Sequence, residues 1–241
     1  MTINRFITPV KRNGAGKEDR NKLSIIILDS LPGVKMKSYG PKCLLKLDGK
    51  NTILSHQVKI LKDCYPYSEI IVSVGFEADK IIKSGISGCR FVENQLYEQT
   101  NVIEELRLAL NNIQYDNVLL IHGDLVFSKK AIDNLTKDGS CLLGSSLSKF
   151  PDDELGITVD NNNYASIIAY GTPIKWGYVA YLCGQELLTF KNLCRDRNKN
   201  NLFCHEVINQ LLERHTKIKV IDNINLDIIK IETIRDIKKC G

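Results

Sequence analysis

The sequence predicts an α/β protein in three layers, with a mostly parallel central sheet covered by helices on both faces. Three observations lead there. Short runs dominated by apolar residues recur at 23–28, 69–75 and 117–121, which is how strands buried on both faces read. The stretches between them place apolar residues at helical spacing. The runs end in turns carrying glycine: Pro32-Gly33, Gly75-Phe76 and Gly123-Asp124. Ligands of such sheets bind beyond the carboxyl ends of the strands, so these turns mark the expected site.

The elements follow in order. Residues 1–22 are polar and basic, with Gly14 and Gly16, and read as a flexible arm. The fold is expected to span 23–241 as one domain. LSIIIL at 23–28 is a buried strand. Over 52–62, Ile53, Leu54, Val58 and Leu61 share one helix face. EIIVSVG at 69–75 is the second strand, 78–83 a short helix and 89–92 a third strand. Thr100-Asn101 precedes a helix that turns Val102, Ile103, Leu106 and Leu110 inward. NVLLI at 117–121 is the fourth strand, and a helix over 128–136 starts on Ser128. After residue 138 the pattern changes to strands at 140–146, 156–159, 165–169 and 176–182 joined by turns. Helices at 186–193 and 203–215, a late strand at 217–221 and a last helix over 233–239 complete the chain.

Composition bounds the function. Hydrophobic content of 43% and charged content of 25% are ordinary for a globular protein. The net charge of +5 is concentrated in the arm, where Arg5, Lys11, Arg12, Lys17, Arg20 and Lys22 face Glu18 and Asp19. The remainder is nearly balanced, which excludes a general nucleic-acid coat and favours a local cationic site. The eight cysteines contain no Cys-x-x-Cys pair and read as free thiols of a reducing compartment rather than a zinc site. No apolar run reaches the length of a membrane span, and a cytoplasmic protein is expected.

The richest stretch is 23–47, LSIIILDSLPGVKMKSYGPKCLLKL. A buried strand, a tight loop and the flanking cations Lys35 and Lys42, the second behind Pro41, form a phosphate-binding arrangement. Asp124, at the mouth of the fourth strand, offers a hard oxygen ligand for a divalent cation. The stretch resembles the N-terminal signature of the sugar-phosphate and alcohol-phosphate nucleotidyltransferases, which open with a strand, an Ala-Ala-Gly-x-Gly-x-Arg-Met-like loop and Pro-Lys. Gly33 takes the second glycine, Lys35 the arginine, Met36 the methionine and Pro41-Lys42 the Pro-Lys. Asp29, Ser30 and Leu31 replace Ala-Ala-Gly. LLIHGDLVF around Gly123-Asp124 resembles the family's Gly-Asp segment, and 91–101 its Phe-Val-x-Asn-x-x-Tyr-x-x-Thr-Asn segment.

The resemblance implies a Rossmann-like fold of the nucleotide-diphospho-sugar transferase type, with 23–138 as the nucleotide-binding half and 139–241 as the acceptor-binding half. It implies Mg2+-dependent transfer of a nucleotidyl group from a nucleoside triphosphate to a phosphorylated sugar or small alcohol, with CTP favoured for a compact chain. Lys35 would contact the triphosphate, and Lys42 would neutralise charge at the attacked phosphorus. Asp124 would hold the metal, with Glu232 as second carboxylate and Asp227 as its alternative. Ser30, Leu31, Gly33, Asn94 and Gly123 fall on the nucleotide side. Tyr97, Thr100, Asn101, Trp176 and Glu206 fall on the acceptor side. Thr100 and Asn101 equally read as a helix cap, Trp176 as core, and Glu206 as a surface helix start. No membrane or specific nucleic acid is expected as partner, and a homo-oligomer stays open. A non-catalytic descendant of the fold is the alternative, since Leu31 puts bulk where small residues let the loop touch a nucleotide. A nucleotide-sugar glycosyltransferase is a third reading, against which Asp124-Leu125-Val126 lacks the second aspartate of Asp-x-Asp.

Overall fold

The structure, a computed structural model, describes residues 22–33, 36–133, 135, 139–223 and 227–240. The predicted arm at 1–22 lies outside them except for Lys22. The first half runs β1 (Ser24–Asp29), α1 (Ile53–Cys64), β2 (Glu69–Val74), α2 (Ala78–Ile82), β3 (Arg90–Glu93), α3 (Val102–Leu110) and β4 (Asn117–His122). Then come β5 (Leu125–Phe127), α4 (Lys129–Ile132), β6 (Cys141–Ser145), β7 (Leu155–Val159), β8 (Ala165–Tyr170) and β9 (Ile174–Cys183). The chain closes with α5 (Gly184–Arg195), α6 (Cys204–Leu212), β10 (Lys219–Asp222), β11 (Ile228–Lys230) and α7 (Ile234–Ile237).

The main sheet has the order β10-β6-β9-β4-β1-β2-β3, with the β7–β8 hairpin attached to β9. β9 runs antiparallel to β4 and β6, while β1 is parallel to both β2 and β4. The sheet is therefore mostly parallel, as the apolar runs require. Ile25, Ile26 and Ile27 are each 0% exposed, so successive residues of β1 are buried on opposite faces. This is the signature of a strand covered on both sides. Parallel registry brings the ends of β1 and β4 level, with Leu28 opposite His122. The loops after both strands thus open at one edge of the sheet.

Three expectations needed adjustment. β5 and β11, three residues each, pair antiparallel in a separate ribbon. Neither is long enough to show a period. The helix expected over 128–136 is observed only as Lys129–Ile132, because Asp133 leaves helical geometry at ψ 140. The last helix is likewise a single turn. All eight cysteines are free, as expected.

Helix α1 does more than cover the sheet. Thr52 caps it by accepting the Ser55 N–H, while Ser55 Oγ accepts the Thr52 N–H. The next turn faces the segment joining β4 to β5. Gln57, fully buried, donates through Nε2 to the carbonyls of His122 at 3.0 Å and Leu125 at 2.7 Å. His56 Nε2 lies 2.9 Å from the Phe127 carbonyl. One side chain therefore holds both ends of the turn that carries Gly123 and Asp124. We predict that Gln57→Leu, similar in size, lowers stability by roughly 1–3 kcal/mol for each buried carbonyl left unpaired. Urea denaturation measures this, and a loss under about 0.5 kcal/mol would contradict the bracing role.

Candidate active site

A cavity of about 750 Å³ opens where β1, β4, β9 and β11 end. Its walls come from both halves of the chain. Lys42 is the centre. Its Nζ donates to Asp124 Oδ2 at 2.8 Å and to the Ile231 carbonyl at 3.2 Å. Its stem crosses Gly33, where an added Cβ would sit 2.2 Å from Lys42 Cε. The glycine is needed for that passage rather than for an unusual φ. Gly123 has a similar role: its N–H donates to the Leu28 carbonyl, and a Cβ there would lie 2.6 Å from Asp29 Cβ. The Ile231 N–H in turn donates to the Asp124 carbonyl at 2.8 Å. Three segments distant in sequence are tied at one point.

The charges around this point are strongly perturbed. Burial raises the Asp124 carboxyl, but Lys42 and His122 outweigh it and hold the group below its ordinary value. Asp124 Oδ1 is shielded from solvent and takes no hydrogen bond. Asp29 faces the same cavity; burial pushes its carboxyl to about 8, against the opposing Cys43 thiol hydrogen bond. Burial pushes Glu105 to about 7, with the hydrogen bonds of Ser30 opposing. Burial lowers His122 to about 4, so the imidazole is neutral at pH 7. Lys230 would be lowered by burial, but Tyr178 and Asp124 raise it further. It pairs with Glu232 at 3.0 Å.

The expected site residues separate into groups. Lys42, Asp124, Glu232, Ser30, Leu31, Gly33 and Trp176 line the cavity. Lys35 lies outside the described residues. Gly123 stands behind Asp124. Ser30 is 0% exposed; its N–H donates to Glu105 Oε2 at 3.1 Å and its carbonyl accepts the Phe76 N–H at 2.8 Å. Both backbone groups of that loop position are therefore used internally. Asn94, Tyr97, Thr100, Asn101, Glu206 and Asp227 stand outside the cavity wall. Asn94 and Thr100 brace their own loop, Nδ2 to Oγ1 at 3.1 Å. Asn101 Oδ1 accepts the Val102 N–H and so caps α3. Tyr97 packs edge-on against Phe76. Glu206 accepts the Phe203 N–H at the start of α6. Asp227 is exposed and gives its carbonyl to the Ser128 N–H. For Asn101 the cap reading and for Glu206 the helix-start reading describe the observed contacts.

The sequence did not point to Glu105, Lys175, Tyr178 or Lys230, all on the cavity wall. Asp29 and His122 had a legible signal, since each ends a buried strand. Among the described residues, no group of three or more His, Cys, Asp or Glu side chains is arranged to hold a metal. Magnesium does not require one, because it keeps several waters and is held by one or two carboxylates plus phosphate oxygens. The unpartnered Oδ1 of an ionised Asp124, in a cavity that Glu232 also lines, fits that donor set. No helix among the described residues is long and apolar enough to cross a membrane.

Solved structures with this architecture include nucleotidyltransferases. The CTP:phosphocholine cytidylyltransferase LicC of Streptococcus pneumoniae superposes with a TM-score of 0.73 at 16% identity, covering 90% of this chain and 96% of that one. The inositol-1-phosphate CTP transferase of T. maritima gives a TM-score of 0.72 at 17% identity over 88% and 90% of the two chains. The chain thus has the nucleotide-sugar pyrophosphorylase-like fold. In sequence it is similar to the bifunctional protein GlmU. It is 35% identical to that of Koribacter versatilis over 106 residues, 43% of this chain and 22% of the relative. It is 25% identical to that of Buchnera aphidicola over 220 residues, 86% of this chain and 47% of the relative. The chain spans less than half the length of these curated relatives. No protein-family model matches it.

The buried acid Glu105 gives a pH prediction. Below about pH 4.5, its ordinary value, folded and unfolded chains both hold the proton. Between there and about 7 the unfolded chain ionises while the folded one stays protonated. The unfolded state then binds fewer protons, so stability falls as pH rises through this window. Glu105→Gln keeps an acceptor for the Ser30 N–H and removes the ionisation. We predict a flatter decline between pH 5 and 7.5, measured by chemical denaturation in the presence of a chelator. Slopes matching the wild type would refute the assignment.

Proposed function

We propose that this chain transfers a nucleotidyl group from a nucleoside triphosphate to the phosphate of a small alcohol or sugar, releasing pyrophosphate. The observation that supports this most is the Lys42–Asp124 pair at the carboxyl ends of β1 and β4, in a cavity that the Lys230–Glu232 pair also lines. Two polyanions must be brought together for this reaction, and the cavity supplies cations and a metal-competent carboxylate at the same place. Asp124 and Glu232 would hold a magnesium ion, which would supply Lewis-acid neutralisation of phosphate charge. Lys42 and Lys230 then stabilise charge at the attacked phosphorus. An oxygen of the acceptor phosphate forms a bond to the α-phosphorus, and the bond from that phosphorus to the bridging oxygen breaks. The electron pair leaves with pyrophosphate. No enzyme-bound intermediate is needed, and catalysis is positioning with charge neutralisation.

The motif assigns Lys35 to the triphosphate. The nucleotide would lie against 23–138 and the acceptor against walls from 139–241. Cytidine is the base we favour, and two of the proteins of this fold are described as CTP-using enzymes. A second reading, a nucleotide-fold protein without catalysis, draws on the Ser30 loop, whose backbone groups are already satisfied. A pyrophosphate-release screen separates the two: four nucleoside triphosphates against phosphorylated sugars, choline phosphate and inositol phosphate, with magnesium. No release from any pair, together with no thermal shift by any nucleotide, would support the second reading.

With the active pair in hand, Lys42→Ala should lower kcat by about 10²–10³, the cost of losing one charge-stabilising donor. Activity within threefold of the wild type would remove Lys42 from the mechanism. Asp124→Asn should abolish magnesium-dependent turnover while the far-UV circular dichroism stays that of the wild type, because Val118, Leu119, Leu120 and Ile121 carry the burial of β4. Full turnover at ordinary magnesium would contradict the metal assignment.

A further inference from the structure

Tyr178 breaks the regularity of β9 at the point where the cavity begins. Its φ is +55, a backbone conformation that a bulky L-residue rarely adopts and that in folded proteins gathers at functional sites. The pairing explains where the irregularity falls. Against β6, Leu142 faces Ala180 but Gly144 faces Trp176, so β9 spends extra residues there. Against β4 the ladder runs from Cys183 to Val179 and goes no further. Tyr178 thus sits in a bulge that neither neighbouring strand constrains. Bulges of this kind re-aim a side chain.

The re-aimed ring meets Lys230. The ammonium lies 4.3 Å from the ring centre, within the range of a cation–π contact. Trp176 packs against the ring at a tilt, with centres 4.7 Å apart, and His122 meets it edge-on at 5.3 Å. Tyr178 itself is 6% exposed. Lys230 ends the three-residue strand β11, which pairs only with the equally short β5 among the described residues, and the ring is a second contact on an ammonium that also pairs with Glu232 at 3.0 Å. The long lysine stem has many rotamers, and a thin ribbon does little to select among them.

We propose that Tyr178 is a positioning residue, whose ring the bulge of β9 turns into the cleft to hold the Lys230 ammonium in the cavity that Asp124 also lines, where a phosphate group is handled. This rests on reading the cleft as the site of phosphoryl chemistry. The strained backbone is then explained by the direction of the side chain.

Two variants isolate the aromatic face. Tyr178→Phe keeps the ring, and Tyr178→Leu keeps an apolar side chain of considerable size without it. Two measurements follow. The first is the rate at which an amine-acylating reagent labels Lys230, read by peptide mass spectrometry on the unliganded protein. The second is kcat and KM for the active substrate pair. The leucine variant should label Lys230 about fivefold faster and lose about tenfold in kcat, the range of a partly desolvated cation–π contact. Its KM for the nucleotide should change less than kcat. The phenylalanine variant should stay within threefold of the wild type in both. A ring that only fills space would lower the melting temperature in the leucine variant without altering Lys230 labelling, and this would overturn the proposal. Equal labelling changes in both variants would also overturn it, by assigning the effect to the hydroxyl. If the wild type turns over no substrate pair, the transfer reading fails, while the labelling comparison still decides whether Tyr178 holds Lys230.

Discussion

The rest of the site depends on the contact between Lys42 and Asp124. The ammonium bonds one carboxylate oxygen and the Ile231 carbonyl, and Ile231 returns its N–H to the Asp124 carbonyl. The segment after Pro41, the turn after β4 and the strand β11 are closed into one ring of hydrogen bonds. Charge-assisted bonds of this kind are short and strong, and their partial burial limits screening by salt. Gly33 and Gly123 are the openings that let the side chains meet. Gln57 secures the turn from below.

Around this ring the protein places more acid than its carboxylates can comfortably ionise. Asp29, Glu105 and Asp124 face one cavity; only Asp124, next to Lys42, is held below its ordinary value. Buried acids without a cation keep their protons, because desolvation penalises the charged form. The same folding that assembles a cation-seeking pocket therefore costs stability at neutral pH. Active sites commonly carry such a cost, and it is consistent with a cleft shaped for charged ligands.

Most of the sheet was legible in the sequence because burial on both faces writes continuous apolar runs. β1, β2 and β4 are such runs, and their glycine turns mark the edge where the cavity lies. Asp124 was legible from its place at the mouth of an apolar run, and Lys42 from the Pro41-Lys42 pair that closes the loop after β1. The short ribbon of β5 and β11 was not, since three residues carry no period. Lys230 and Tyr178 left no local mark: one is a lysine among many, and the other is set by a bulge that arises only from pairing with two strands at once. Asn94, Thr100 and Asn101 illustrate the reverse case. Their residue types suit both a ligand contact and a local structural role, and the observed hydrogen bonds are local: Asn94 and Thr100 brace the loop after β3, and Asn101 caps α3.

The ring of bonds has a consequence in time. Lys42 and Ile231 are 189 positions apart. A ribosome adds roughly 5–20 residues each second. β1 and its loop thus wait on the order of ten seconds or more before β11 can exist to meet them. Until then Lys42 has no carbonyl from Ile231 to hold it, and the wall bearing Lys230 and Glu232 is absent. A nascent chain can assemble the β1–β4 side early, but it has no finished cleft. The complete cleft can therefore exist only late, once the distal segment has been made and closes the ring.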